Sequence, residues 1–303
     1  MDIRVHGLIA GSLIGAAFAL MLFAEPSALP QAQTFAECGT TPDSPQVLAR
    51  AAYVYSIADQ ETLFEKNADA QLPLASVTKV MTVLAALDTL AFDDVVTITP
   101  EALTPEGESG FRIGDTMKAG ELAAFTLIES SNDGARALLL ASAEKQHMSE
   151  ADFIDGMNKR ARGIGLSQTY YMNETGLDIS GTVAGAYGSA RDAALLMAFL
   201  AEERPAVVEH SVEPERRLKL KNGGQLLARN TALIGSAFGA TIGSKTGFTD
   251  LAGGNLAFVF EPIPGKPVSV VVLGSTREAR EADAERLARF ASETLRKQGA
   301  CTW

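Results

Sequence analysis

The sequence predicts an α+β fold, α/β in looser terms: one sheet completed by strands from both ends of the chain, with a helical lobe inserted between them. Three observations predict it. Short β-rich runs lie near residue 50 and recur after residue 215. Apolar residues at three- and four-residue spacing dominate the middle of the chain. A final helical pattern, Glu278 to Lys297, closes the domain.

Residues 1–24 read as a signal peptide or N-terminal membrane anchor, 25–45 as a linker and 46–303 as the globular domain. Gly7 to Ala24 carries no charged side chain and is rich in Leu, Ile, Ala and Phe after Arg4. As a helix it would reach roughly 27 Å, near the bilayer's hydrocarbon thickness. Leu22-Phe23-Ala24 and Pro30-Gln31-Ala32 are imperfect cleavage sites, so removal and retention both stay open. Either way the expectation is export, to the periplasm or the outer face of the cytoplasmic membrane. Pro26, Pro30, Pro42 and Pro45 among Ser, Thr and Gln mark the linker.

Ala51–Ile57 and Thr62–Lys66 read as two strands around a turn at Ala58–Glu61. A helix begins near Ser76, with Val77, Val80, Met81, Leu84 and Leu87 on one stripe. Gly120–Lys145, Asp152–Gly163 and Arg191–Glu203 are also helical in pattern. Arg217–Leu220 and Gln225–Asn230 flank Asn222-Gly223-Gly224, a hairpin signal. Strands Thr241–Thr246, Asn255–Glu261 and Val268–Leu273 follow, the last two joined by a turn at Pro262–Pro267.

The composition, 47% hydrophobic and 21% charged, is that of a globular protein. A net charge of -11 argues against nucleic acid as a partner, because phosphate binding needs a basic surface. The two cysteines, Cys38 and Cys301, bracket the globular region. In an exported domain a Cys38–Cys301 disulfide would pin the two ends together; two unpaired thiols is the other reading.

The chemistry lies in three motifs: Ser76-Val77-Thr78-Lys79, Ser130-Ser131-Asn132 and Lys245-Thr246-Gly247. Together they supply a nucleophile, two proton carriers and a cationic anchor, which suits serine acyl transfer without a catalytic histidine. Ser76 sits at a helix start, where a free backbone N–H and the dipole favour developing negative charge. Lys79 returns to the same face one turn on, and serves as base only when neutral. Burial or a nearby positive charge lowers its proton affinity, and Lys245 is the candidate for that charge. Ser130 and Asn132 sit at a turn between two helices, Ser130 to relay a proton and Asn132 to hydrogen-bond a substrate amide. Lys245 and Thr246 end a strand of small residues and can bind a carboxylate, while Gly247 permits close approach. Each motif alone fits a helix cap or strand end: Ser-x-x-Lys recurs at Ser142–Lys145 with nothing to support it. Only their conjunction in this order is informative.

The chain resembles the serine-type D-alanyl-D-alanine carboxypeptidases, the low-molecular-mass penicillin-binding proteins of peptidase family S11, over about Leu48 to Arg296. The carrying segments are Leu74–Thr82, Ser130–Asp133, Lys245–Thr249 and Ala252–Leu256. Supporting blocks are Met157–Ala161, Asn173–Asp178, Ser189–Asp192, Arg229–Thr231, Leu273–Ser275 and Arg280–Ala282. The resemblance implies a penicillin-binding-protein/β-lactamase-like fold, an antiparallel sheet flanked by helices. It implies that Ser76 attacks the bond between two terminal D-alanines of a peptidoglycan stem peptide, with Lys79 as base and Ser130 as proton shuttle. Lys245, Thr246 and Arg280 would hold the terminal carboxylate, and the N–H groups of Ser76 and Phe248 would hold the oxyanion. β-Lactams would acylate Ser76, and no metal or organic cofactor is needed.

Phe248 stands where the family usually has His, and Ala232 where a second Asn is common. A C-terminal β-rich domain and a C-terminal amphipathic anchor are expected to be absent. The rival activities are a D,D-endopeptidase cleaving crosslinks, a class A β-lactamase, and an inactive cell-wall binding module. No E-x-x-L-N element lies between Asn132 and Lys245, so a slowly released acyl-enzyme is expected rather than β-lactamase turnover.

Overall fold

The computed structural model describes residues 43–107, 109–232, 234 and 240–300. The apolar segment 7–24, nearly all of the 25–45 linker and both Cys38 and Cys301 lie outside the described residues.

The described chain opens with β1 (Ala51–Ser56) and β2 (Glu61–Lys66), the expected hairpin. A short β3 (Leu72–Pro73) and a single 3-10 turn, Ala75–Thr78, lead into α1 (Lys79–Thr89). The helical lobe follows. β4 (Val95–Thr97) pairs with β5 (Thr116–Lys118), then come α2 (Ala119–Ile128), α3 (Asn132–Gln146) and α4 (Glu150–Gly163). β6 (Tyr170–Tyr171) and β7 (Ala186–Gly188) join β3 in a small sheet. α5 (Ala190–Glu203) and the one-turn α6 (Pro205–Val208) return the chain to the main sheet. The last third supplies β8 (Glu215–Lys219), β9 (Gln225–Arg229), β10 (Ala240–Thr249), β11 (Gly253–Glu261), β12 (Val268–Ser275) and α7 (Arg280–Ala300).

The main sheet is antiparallel throughout, in the order β10-β11-β12-β1-β2. Strands from the two ends of the domain meet at β1 and β12, with Val54 opposite Val270. Helices cover both faces. Leu256, Phe258, Val270 and Val272 face Ala284, Leu287, Ala288 and Ala291, a three- and four-residue stripe on α7. Ala257, Val259, Val271 and Leu273 face the other way, into the core shared with α1, α2 and α5. Burial on both sides explains why β12 reads Val-Ser-Val-Val-Val-Leu rather than alternating with polar residues. Asp283, at the start of α7, ties the assembly together by accepting from Leu48 N (3.0 Å), Ala49 N (2.8 Å) and Ser275 Oγ (2.7 Å).

The β8–β9 hairpin departs from the single-sheet expectation. It forms its own two-stranded ribbon, joined to β5 through Lys221 N–H to Thr116 C=O at 2.7 Å. Only one side of each strand is buried, through Leu218 and Ala228, so the ribbon lies on the helical lobe and does not enter the sheet. For the site, the consequence is that β10 remains a sheet edge.

Candidate active site

Ser76 stands in the 3-10 turn just before α1. Ala75 adopts a left-handed φ of 48°, a costly conformation for a residue with a Cβ, and the surroundings hold it there. The fully buried Asn255 of β11 donates to the carbonyls of Pro73 (2.9 Å) and Leu74 (3.1 Å) and accepts from Gly274 N (2.8 Å). One turn on, Lys79 Nζ donates to Ser76 Oγ at 2.7 Å and to the Thr175 carbonyl at 2.9 Å. Lys79 is wholly buried, and burial lowers its pKa to about 7, with Glu174 pulling the other way. Of the two causes the sequence leaves open, burial and a charge from Lys245, removal from water carries the shift on Lys79. The coupling instead falls on Lys245, which burial first, then Lys79 and Arg280, hold well below an ordinary lysine.

Lys245, Thr246, Gly247 and Phe248 lie along β10. Ser244 N–H leaves the sheet to reach Ser211 Oγ at 2.9 Å, so by strand alternation the N–H groups of Thr246 and Phe248 point to the same free edge. That edge faces the nucleophile. A Cβ on Gly247 would come within 2.9 Å of Leu74 O and 3.1 Å of Ser76 N, which is why a residue without a side chain stands there. Lys245 is 1% exposed and donates to Thr246 C=O at 2.9 Å, placing its amine in the interior rather than on a surface. Thr246 Oγ1 bonds Thr231 Oγ1 at 2.6 Å. Arg280, the first residue of α7, reaches Gly247 C=O and Thr231 C=O at 3.3 Å each, and Glu281 at 2.9 Å. Phe248 is 42% exposed, with the Arg277 guanidinium 5.2 Å from its ring centre.

Ser130 lies between α2 and α3 with φ 61°. Capping of α3 falls to Ser131, whose hydroxyl accepts from Gly134 N at 2.8 Å and donates to Ser109 Oγ at 2.6 Å. Ser130 is therefore released from the capping role that serine takes by default. Its segment is stitched to the β10 side: Thr231 N–H donates to Ile128 C=O at 3.3 Å, and Arg229 N–H to Glu129 Oε2 at 2.5 Å. Asn132 Nδ2 donates to Glu106 C=O at 2.5 Å, while its buried Oδ1 has no partner among the described residues.

The sequence model of peptidase family S11, D-alanyl-D-alanine carboxypeptidase, matches residues 38–277. The chain belongs to this family. It is 32% identical over 296 residues to the D-alanyl-D-alanine carboxypeptidase DacC of Escherichia coli, covering 94% of this chain and 69% of that protein. It is 30% identical over 246 residues to a D-alanyl-D-alanine endopeptidase of Pseudomonas aeruginosa, covering 77% and 75%. Among solved structures, penicillin-binding protein D2 of Listeria monocytogenes in its cefotaxime-bound form superposes with a TM-score of 0.68 at 30% identity, over 82% of this chain and 98% of that one. The Streptomyces K15 DD-transpeptidase gives 0.71 at 26% identity, over 82% and 98%. The enzyme is thus a serine-type D-alanyl-D-alanine carboxypeptidase by family, a hydrolase.

Residues 173–178 are the part of this carboxypeptidase site whose role the sequence did not reveal. Asn173 Oδ1 accepts from Gly176 N at 2.7 Å and Thr175 Oγ1 at 3.2 Å, and its Nδ2 donates to Leu177 C=O at 2.9 Å. The turn so formed aims Thr175 C=O at Lys79. Gly176 has φ +79°, and a Cβ there would lie 1.9 Å from Ala75 O. Asp178 then accepts from Thr249 Oγ1 at 3.0 Å and Leu251 N at 3.3 Å, joining the loop to the β10–β11 turn. The Asn-x-x-Gly spacing was the available signal, since Asn closing a turn ahead of a left-handed Gly is a common local device. A cavity of about 640 Å³ opens beyond Phe248, lined in part by Glu106, Asp178, Thr249 and Asp250. A second hollow of about 370 Å³, between α1 and α4, holds no motif residue.

Other sequence blocks serve the scaffold. Asn158 pins α4 to β6 by bonding both N–H and C=O of Tyr171 at 2.8 Å. Ser189 caps α5 at Asp192 N, 3.0 Å. The second Ser-x-x-Lys, in α3, is structural: Ser142 bonds the carbonyl of Leu138 at 2.7 Å and Lys145 makes a surface pair with Asp94 at 2.6 Å. Among the described residues no cluster of His, Cys, Asp and Glu is placed to hold a metal, and no helix is long and apolar enough to cross a membrane.

Proposed function

We propose that this chain removes the terminal D-alanine from peptidoglycan stem peptides through an acyl-enzyme on Ser76. The observation that carries the reading is the wholly buried Lys79 amine 2.7 Å from Ser76 Oγ, with a pKa near 7. An amine with that proton affinity is a competent base at neutral pH. Ser76 Oγ attacks the carbonyl of the penultimate D-alanine and its proton passes to Lys79. The oxyanion forms between the N–H groups of Ser76 and Phe248. The proton then moves through Ser130 to the leaving nitrogen, the C–N bond breaks and free D-alanine departs. Water attacks the ester, giving a proton back through Lys79 as the Ser76 O–H re-forms, and the shortened peptide leaves.

Arg280 sits behind β10 as a permanent positive charge. Lys245, buried and beside Lys79 and Arg280, holds its proton weakly. An arriving carboxylate favours the ammonium form, so substrate binding itself restores the second charge. Asn132 has an unpartnered oxygen ready for a substrate amide N–H. β-Lactams, which penicillin-binding protein D2 of Listeria binds as cefotaxime and ampicillin, would acylate the same serine here. Segment 7–24 would direct export and either be removed or hold the domain at the outer face of the cytoplasmic membrane.

Similarity to the Pseudomonas endopeptidase favours a second reading, cleavage of crosslinks by the same residues. Incubation with uncrosslinked pentapeptide and with crosslinked muropeptides separates them. We expect tetrapeptide and free D-alanine from the pentapeptide; dimer cleavage without pentapeptide trimming would establish the endopeptidase instead.

A further inference from the structure

We propose that Glu174, buried in the loop that carries Thr175 and facing Arg136 at 3.7 Å, is a positioning residue for the base Lys79. The inference rests on the reading of Lys79 as base. Glu174 directly precedes Thr175, whose carbonyl takes the Lys79 amine at 2.9 Å, and its own carbonyl accepts from Thr82 Oγ1 at 2.6 Å. Both contacts are made to α1, so the loop cannot shift without moving the base. The Glu174 side chain is only 8% exposed, an expensive place for a carboxylate unless its charge is used or compensated.

The compensation is partial. Arg136 Nη1 of α3 stands 3.7 Å from Glu174 Oε1, beyond hydrogen-bond reach, while the same nitrogen lies 2.7 Å from Glu150 Oε2 at the start of α4. Arg136 Nε is buried with no hydrogen-bond partner among the described residues. One guanidinium is thus shared by two carboxylates and lies nearer to the half-exposed Glu150 than to the buried Glu174.

The charged groups around the base are Lys245 of β10 with Arg280 behind it, Glu174 of the loop, and Arg136 of α3 with Glu150 beyond. Asp133, one turn before Arg136, is engaged by Ser109 N–H at 3.1 Å. Of these, Glu174 is the one that favours the ammonium form of Lys79, against burial. Burial alone would leave an amine that is neutral but too weak a base to take the serine proton well. A nearby carboxylate restores basicity toward the working pH, where general-base catalysis is most effective.

The test is the pH dependence of Ser76 acylation by a fluorescent penicillin, from about pH 5 to about pH 9, for wild type, Glu174→Gln and Glu174→Asp. Removing the charge should move the midpoint of the acid limb down by about half a unit to one unit. Glu174→Asp should leave it near the wild-type position. A merely structural role would slow the reaction at every pH without moving the midpoint. Arg136 retains Glu150 in the Gln variant, so no cation is orphaned. Should that variant not fold, Glu174→Ala removes the charge without burying an amide and is expected to shift the limb the same way. A midpoint unmoved in either folded variant overturns the proposal. Failure of the base reading is distinguishable: Lys79→Ala would then acylate at the wild-type rate, whereas failure of the present inference leaves the dependence on Lys79 intact.

Discussion

Replacing Lys79 with alanine is expected to slow acylation of Ser76 by penicillin about 10²–10⁴-fold, the span that a positioned general base supplies. Lys79→Arg should be nearly as slow, because a guanidinium keeps its proton and cannot accept another. The sign of the pH dependence follows from the same group. Lys79 works as the free amine, and burial sets its pKa at about 7, so wild-type acylation should fall as pH drops through that value and level off above it. Stopped-flow acylation against pH measures both effects. A Lys79→Ala rate within about tenfold of wild type would mean that another group takes the serine proton.

Gly176→Ala should be the most damaging glycine-to-alanine change among the described residues. The residue has φ +79°, and the new Cβ would meet Ala75 O at 1.9 Å and Thr78 Oγ1 at 2.6 Å. The first of these atoms is backbone and cannot rotate away. Left-handed strain and overpacking together should lower stability by about 3 kcal/mol. Relief requires either the Ala75–Thr78 turn or the 173–178 loop to move, and each carries one partner of Lys79. Thermal unfolding and acylation rate should therefore fall together in Gly176→Ala. The nearby Gly181→Ala, with nothing within 4 Å of its added Cβ, should change neither. A stable, fully active Gly176→Ala would refute the packing described for this loop.

The elements that the sequence made legible are those whose burial is fixed by local pattern. The β1–β2 hairpin, the Val77–Leu84 stripe and the Val268–Leu273 run each show their buried residues in their own spacing. The break between α2 and α3 was legible as well, because Ser130 and Asn132 read as a turn between two helices. The exact start of the first helix was not. Ser76 belongs to a 3-10 turn and the α-helix begins at Lys79, an arrangement imposed by Asn255 gripping Pro73 and Leu74 from β11, 181–182 residues away in the chain.

The same limit applies to the chemistry. Spacing alone places an amine beside Ser76, and the structure bears that out. What makes the amine neutral is the seal around it, and the carbonyl completing that seal comes from Thr175, 96 residues on. Spacing leaves burial and a charge from Lys245 both open as the cause of the shift, and for a wholly buried lysine desolvation outweighs its neighbours. The ribbon formed by β8 and β9 was misjoined for a related reason: a hairpin signal specifies the turn, and says nothing about which surface receives the strands.

The central claim is that Ser76 is the nucleophile. It is tested most directly by incubating wild-type protein and Ser76→Ala with a fluorescent penicillin, followed by peptide mapping of the adduct. The account predicts one covalent label on the peptide containing Ser76 in the wild type and none in Ser76→Ala. Label that survives in Ser76→Ala, or that maps to Ser130 or Ser142 in the wild type, would contradict it.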